Sequence, residues 1–305
     1  MGVRPLPRLP AVRDLIKLYG LSAQSQLSQN FILDKNITDK IARCADIGPS
    51  ESVIVEVGPG PGLLTRSLLD LGIENMVAVE KDSRFLPTLS QLADASDSRL
   101  KVIQGDMLTV QHDDILKALG LTIPQTKIKQ VHILGNLPFS VATPLLAQWL
   151  GGLSARTGIF ASFETSMTLM FQKEVAERIV APVSTSPRGR LSVAAQSLCH
   201  TNLVYRVPAD SFVPRPKVDA AVVHLVPLRE SLLKVTFPEL EHVSRFLFSS
   251  RRKTLRRIMK NLDSEAPAVL DQCQMDGNLR PQDLTNEAFN TLARAIVDSK
   301  LTLPP

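Results

Sequence analysis

The chain has 305 residues, 44% of them hydrophobic, and a net charge of +5. That is a globular composition, long enough for one domain of about 200 residues and a smaller one. No apolar run approaches the roughly 18 residues of a membrane span, so a soluble protein with no membrane partner is expected. Cys44, Cys199 and Cys273 are few and far apart. They exclude a disulfide framework or a cysteine metal cluster and point to a reducing compartment; no metal is expected.

The first 13 residues, MGVRPLPRLPAVR, hold Arg4, Arg8 and Arg13 and no acid. Such a composition occurs in mitochondrial targeting segments. The segment is also short and proline-rich, a poor amphipathic helix, and an ordinary basic arm fits it equally well. Residues 14–19 read as a short helix. LSQNFILD at 27–34 then leads into a helix near 36–45. Residues 52–57 form an apolar, β-branched run, the mark of a buried strand. A helix is expected over 63–71, a strand over 75–80, a helix over 83–93 and a strand over 100–104. A helix over 112–120 and a loop over 121–129 lead to a fourth strand at 131–134 and a helix at 143–150. Further strands are expected at 168–171, 203–207 and 220–225, with helices at 173–180 and 191–198. Alternating strands and helices predict a parallel sheet covered on both faces, an α/β fold. The strand signal stops after Pro227; helices follow at 239–248, 251–262, 266–272 and 287–297. The boundary falls near 228–234, and the division is an arm (1–26), a catalytic domain (27–230) and a helical C-terminal domain (231–305).

VIVEVGPGPGLLT at 53–65 places Gly58, Gly60 and Gly62 in a turn between the first long strand and a helix. Such a turn lets backbone approach a ligand at a helix N-terminus. The pattern is G-x-G-x-G rather than the dinucleotide G-x-G-x-x-G. Glu80 ends the next strand, where a carboxylate accepts from two ribose hydroxyls. Asp106 follows the third, where a carboxylate can accept from an adenine amine. Nicotinamide cofactors share these features, so they leave a dehydrogenase open. GNLPFS at 135–140 discriminates. Asn136 supplies an amide oxygen, Pro138 fixes the local backbone so that a carbonyl can be aimed, and Phe139 offers a flat face for stacking a base. An aromatic amine is a poor nucleophile because its lone pair is delocalised. Two acceptors on its N–H groups favour a pyramidal nitrogen aimed at a sulfonium methyl, a displacement that depends on positioning.

With these residues in view, the chain resembles the ribosomal RNA adenine dimethyltransferases. The resemblance runs through QNF at 29–31, VGPGPG at 57–62, VEKD at 79–82, GD at 105–106 and NLPF at 136–139. It continues through FQKEVAERI at 171–179, RLSVAAQ at 190–196, FVPRPKVDAAVVHL at 212–225 and SSRRKTLRRIM at 249–259. It implies a class I S-adenosylmethionine-dependent methyltransferase fold: a Rossmann-like, mostly parallel seven-stranded sheet with a reversed hairpin at one edge, and a small all-α C-terminal domain. It also implies N6,N6-dimethyladenosine formation from S-adenosylmethionine. Asn30 and Ile32, helped by Gln29, would hold or cover the methionine end. Gly58 and Gly60 would pass the cofactor's backbone, and Glu80 would bind the ribose. Lys81 and Met107 would flank the adenine, and Asp106 would bind its amine. Asn136, counted also among the cofactor-binding residues, would orient the target N6 together with the Leu137 or Pro138 carbonyl. Phe139 would stack on the target base, with Phe212 as the opposite wall. Two residues depart from the family pattern: Ile32 stands where Leu is usual, and Phe139 replaces the commoner Tyr. LSQNF, GPGPG and LRPQDL at 279–284 resemble the animal mitochondrial branch most, which implies the mitochondrial matrix.

Arg245, Arg251, Arg252, Lys253, Arg256, Arg257 and Lys260 crowd one helical region, with no acid between Glu241 and Asp263. That favours a phosphate-binding patch, which Arg188 and Arg190 of STSPRGR are expected to extend. The target implied by the resemblance is a pair of adjacent adenines in the 3′-terminal hairpin of small-subunit ribosomal RNA (helix 45 of the 12S-type RNA), met on a monomeric enzyme during small-subunit assembly. The alternatives are a mitochondrial transcription initiation factor that keeps the fold and engages the transcription machinery, an antibiotic-resistance methylase of large-subunit RNA, and a nicotinamide-linked oxidoreductase.

Overall fold

The computed structural model describes residues 6–21, 29–47, 52–120 and 128–304. The beginning of the arm, Leu27 and Ser28 of LSQNF, and most of the loop expected over 121–129 lie outside the described residues. Nine strands follow in order among those described: β1 (Phe31–Ile32), β2 (Ser52–Val57), β3 (Met76–Glu80), β4 (Leu100–Gln104), β5 (Gln130–Gly135), β6 (Glu164–Gln172), β7 (Cys199–Val207), β8 (Phe212–Val213) and β9 (Ala220–Pro227). Seven form one sheet in the order β4-β3-β2-β5-β6-β9-β7. The pairs from β4 through β6 are parallel, and β9 runs antiparallel to β6. The fold is α/β, that of a class I S-adenosylmethionine-dependent methyltransferase, with the expected reversal at one side. Every residue of β2 and β3 is buried, as covering both faces of a parallel sheet requires.

β1 and β8 form a separate two-stranded ribbon, Phe31 opposite Val213 and Ile32 opposite Phe212. Pairs this short carry no periodicity, so neither strand is read from the sequence. β6 and β7 both start earlier than expected, because their first residues, ETSM and CHTN, are too polar to signal a strand. The helix after β5 runs from Phe139 to Ala155, longer than the predicted 143–150. The helix expected over 83–93 splits into a 3₁₀ turn, Ser83–Phe85, and a helix, Leu86–Ala95, that starts at Pro87's tolerated position.

The chain divides into two compact units. The first holds residues 1–146, 156–176 and 202–226; the second holds 147–155, 177–201 and 227–305. The division is therefore not collinear with a single boundary near 228–234. The first unit packs Ile54, Leu68, Leu69, Met76 and Leu134 between sheet and helices. The second packs Leu240, Leu247, Leu255, Phe289 and Leu292 into a helical core.

Candidate active site

The ends of β2, β3 and β5 meet in one cleft in the first unit. Its lining includes Gln29, Asn30 and Ile32 from the ribbon segment, Gly58 and Gly60 from the glycine turn, Glu80 from β3, and Asn136, Leu137, Pro138 and Phe139 from the end of β5. Segments about eighty residues apart thus line one cleft.

Two glycines set that geometry. Gly60 has φ +52°, and a Cβ there would sit 3.4 Å from the Phe31 ring. Its N–H donates to Glu80 Oε2 at 2.9 Å. At Gly135, a Cβ would lie 2.7 Å from the Val57 carbonyl oxygen. Only glycine lets β5 approach β2 so closely, and this approach brings Asn136 beside the glycine turn.

Glu80 is buried. It accepts from the Gly60 N–H on one oxygen and from the Asp82 N–H on the other, at 2.7 Å. Burial raises its pKa and the two amides oppose the rise. Each oxygen keeps a lone pair for a further donor. Asn136 Nδ2 donates to the Asn30 carbonyl at 3.1 Å. That bond assigns the amide's orientation and leaves Oδ1 as the acceptor.

The remaining predicted residues stand outside this lining. Lys81 pairs with Asp106 at 2.8 Å, and that bond holds the Asp106 carboxyl below its usual range. Asp106 Oδ1 also accepts from the Leu108 N–H at 3.0 Å. Met107 is buried. Phe212 is 3% exposed and packed in the first unit's core beside its strand partner Ile32, which does line the cleft. Gln29 lines the cleft, but its amide is spent on Asp82 and Arg84.

Sequence reasoning missed Glu56. This lone carboxyl in SVIVEV lines the cleft, is 1% exposed and accepts from Thr65 Oγ1 at 2.6 Å. Burial pushes it up to about 8, against the Thr65 bond and helped by nearby Glu80. It is therefore neutral at pH 7, and Glu80 is spared a second anion beneath it. An acid inside an apolar strand was the available signal.

In the second unit, Arg251, Arg252 and Lys253 are exposed just before the helix Leu255–Leu262, which presents Arg257 and Lys260; Arg245 and Arg190 are also exposed. Arg256 is exposed too but pairs with Asp271 at 3.1 Å. Arg188 corrects the expectation. It is fully buried and donates to the carbonyls of Ala181 and Leu284 and to the side chains of Gln196 and Asn286. A cation so enclosed cannot meet a phosphate; a Ser/Pro/Gly-rich segment reads as exposed, but here it wraps a structural arginine.

The family profile described as ribosomal RNA adenine dimethylase matches residues 20–298. Mitochondrial dimethyladenosine transferase 1 of Bos taurus is 42% identical to this chain, over 96% of it and 87% of the bovine protein. A dimethyladenosine transferase from Plasmodium falciparum superposes with a TM-score of 0.69 at 25% identity, covering 88% of this chain and 98% of that one. The 23S rRNA methyltransferase ErmE shares the fold, with a TM-score of 0.62 at 22% identity, covering 88% of this chain and all of that one. The profile spans nearly the whole chain, and the chain accordingly belongs to the ribosomal RNA adenine dimethylase family, as a mitochondrial rRNA adenine dimethyltransferase.

Proposed function

We propose that the protein binds S-adenosylmethionine in this cleft and dimethylates N6 of two adjacent adenosines in the 3′-terminal hairpin of small-subunit ribosomal RNA, in the mitochondrial matrix, during subunit assembly. One observation carries the reading: Glu80 and the glycine turn line the same cleft as Asn136–Phe139. The residues fit the cofactor. A Cβ on Gly58 would meet nothing within 4 Å, so the turn faces open space, and the buried Glu80 carboxylate suits a ribose. When bound, the cofactor supplies a methyl group on a sulfonium. The protein's part is to grip and aim the amine. Asn136 Oδ1 and a carbonyl from Leu137–Pro138 accept the N6 protons, and Phe139 stacks on the base. The target must leave its helix stack first, which is least costly in a hairpin loop. The exposed cations of the second unit hold RNA phosphates.

The test is methylation of a minimal hairpin with labelled S-adenosylmethionine, read at each adenine by mass spectrometry. Label in both adjacent adenines supports the proposal. Label elsewhere, or stimulation of promoter-dependent transcription with no transfer at all, contradicts it.

A further inference from the structure

The segment 29–32 crosses the glycine turn, and all four of its residues line the cleft. Its strand, β1, is two residues long, too short to hold itself in place. Phe31 sits edge-on against Phe85, with ring centroids 5.4 Å apart. Two polar ties then reach opposite sides of the site. On one side, the Asn30 carbonyl accepts from Asn136. On the other, Gln29 Nε2 donates to Asp82 Oδ2 at 2.9 Å, and Arg84 Nη2 donates back to Gln29 Oε1 at 3.3 Å. Arg84 also grips both oxygens of Asp82, from Nε at 2.9 Å to Oδ1 and from Nη2 at 2.5 Å to Oδ2. The Asp82 N–H in turn holds Glu80 Oε1. The ties run from Glu80 through Asp82 and Gln29 to Asn30, and from there to Asn136.

We propose that Gln29, Asp82 and Arg84 form a latch that fixes the 29–32 segment over the cofactor and so couples the ribose-binding carboxylate to the amide that aims the target amine. The latch rests on the cofactor reading above. Arg84 is then a positioning residue: it does not line the cleft and acts through Asp82 and Gln29. A fork-shaped guanidinium suits this task because it spans a carboxylate and an amide oxygen at once. The Arg84 bond holds the Asp82 carboxyl down to about 2, so the latch stays charged at any working pH. A cleft held open by its loss would leave Glu80 in place, yet free the segment that carries the Asn30 carbonyl.

The experiment measures S-adenosylmethionine affinity by calorimetry, KM and kcat on the hairpin, and melting temperature, for wild type, Arg84→Ala, Arg84→Lys, Gln29→Ala and the Gln29→Ala/Arg84→Ala pair. The expected result for Arg84→Ala is about tenfold weaker cofactor binding and a lower kcat, from loss of a charge-assisted pair. Arg84→Lys recovers part of the affinity, since it restores charge without the fork. The double variant loses no more than about twofold beyond the worse single one, because both break one tie. Affinity and kcat within about twofold of wild type in Arg84→Ala, or losses that add fully in the pair, would overturn the latch. So would a lower melting temperature with binding untouched, the mark of a mere staple. Wild type that binds no S-adenosylmethionine would instead sink the cofactor reading, and the latch with it.

Discussion

At the scale of single residues, two carboxyls in one cleft are set apart by their surroundings. Glu80 has two amide donors and Glu56 has one hydroxyl, so burial keeps Glu56 neutral. Its effect on stability has a definite sign. The folded value, about 8, lies above the ordinary 4.5. The unfolded chain therefore releases this proton first, and the contribution is fully present below about 4.5 and lost as pH rises through 8. Glu56→Gln keeps an acceptor for Thr65 and removes the titration. We expect it to raise stability at pH 7–8 by on the order of 3–4 kcal/mol and to flatten the pH dependence between 5 and 8. Equal melting curves for variant and wild type at pH 8 would refute the assignment. Residues in GPGPG and NLPF were legible because each sits at a strand end flanked by its own signal. Arg84 and Glu56 were not, since their roles depend on neighbours distant in sequence. Arg188 misled because local composition says nothing of what later folds around it.

At the scale of elements, the site is made by the convergence of strand ends. The parallel core was readable, as buried β-branched runs alternate with helical segments. The β1–β8 ribbon was not: its register comes from the tertiary approach of segments 180 residues apart. Closeness of β2 and β5 rests on Gly135, whose missing side chain leaves room for the Val57 carbonyl. Gly135→Ala forces backbone apart, since the obstructing atom is not the end of a flexible side chain. We expect a loss of about 1–3 kcal/mol in stability together with a fall in kcat larger than the rise in cofactor Kd, because Asn136 follows directly. A variant with wild-type turnover and melting temperature would show that the approach is not needed.

At the scale of the whole molecule, charge is divided between structural and exposed roles. Arg257 and Arg188 are both arginines of the second unit, one exposed and one enclosed. Arg257→Ala should leave the melting temperature unchanged, weaken hairpin binding, and lower the slope of log K against log salt by about one. Arg188→Ala strips four hydrogen bonds from a buried site and should lower the melting temperature by about 5–10 °C. If instead Arg188→Ala melts normally and lowers the salt slope, its burial does not describe the working protein. The two measurements together separate a phosphate contact from a fold contact.

In the proposed reaction, one arrangement matters most: a methyl donor and a target amine brought into register by Asn136. The most direct measurement is Asn136→Ala, followed by calorimetry with S-adenosylmethionine and by labelled transfer to the hairpin. Cofactor affinity should stay within about threefold of wild type while turnover falls at least about a hundredfold. Turnover near that of wild type would contradict the account.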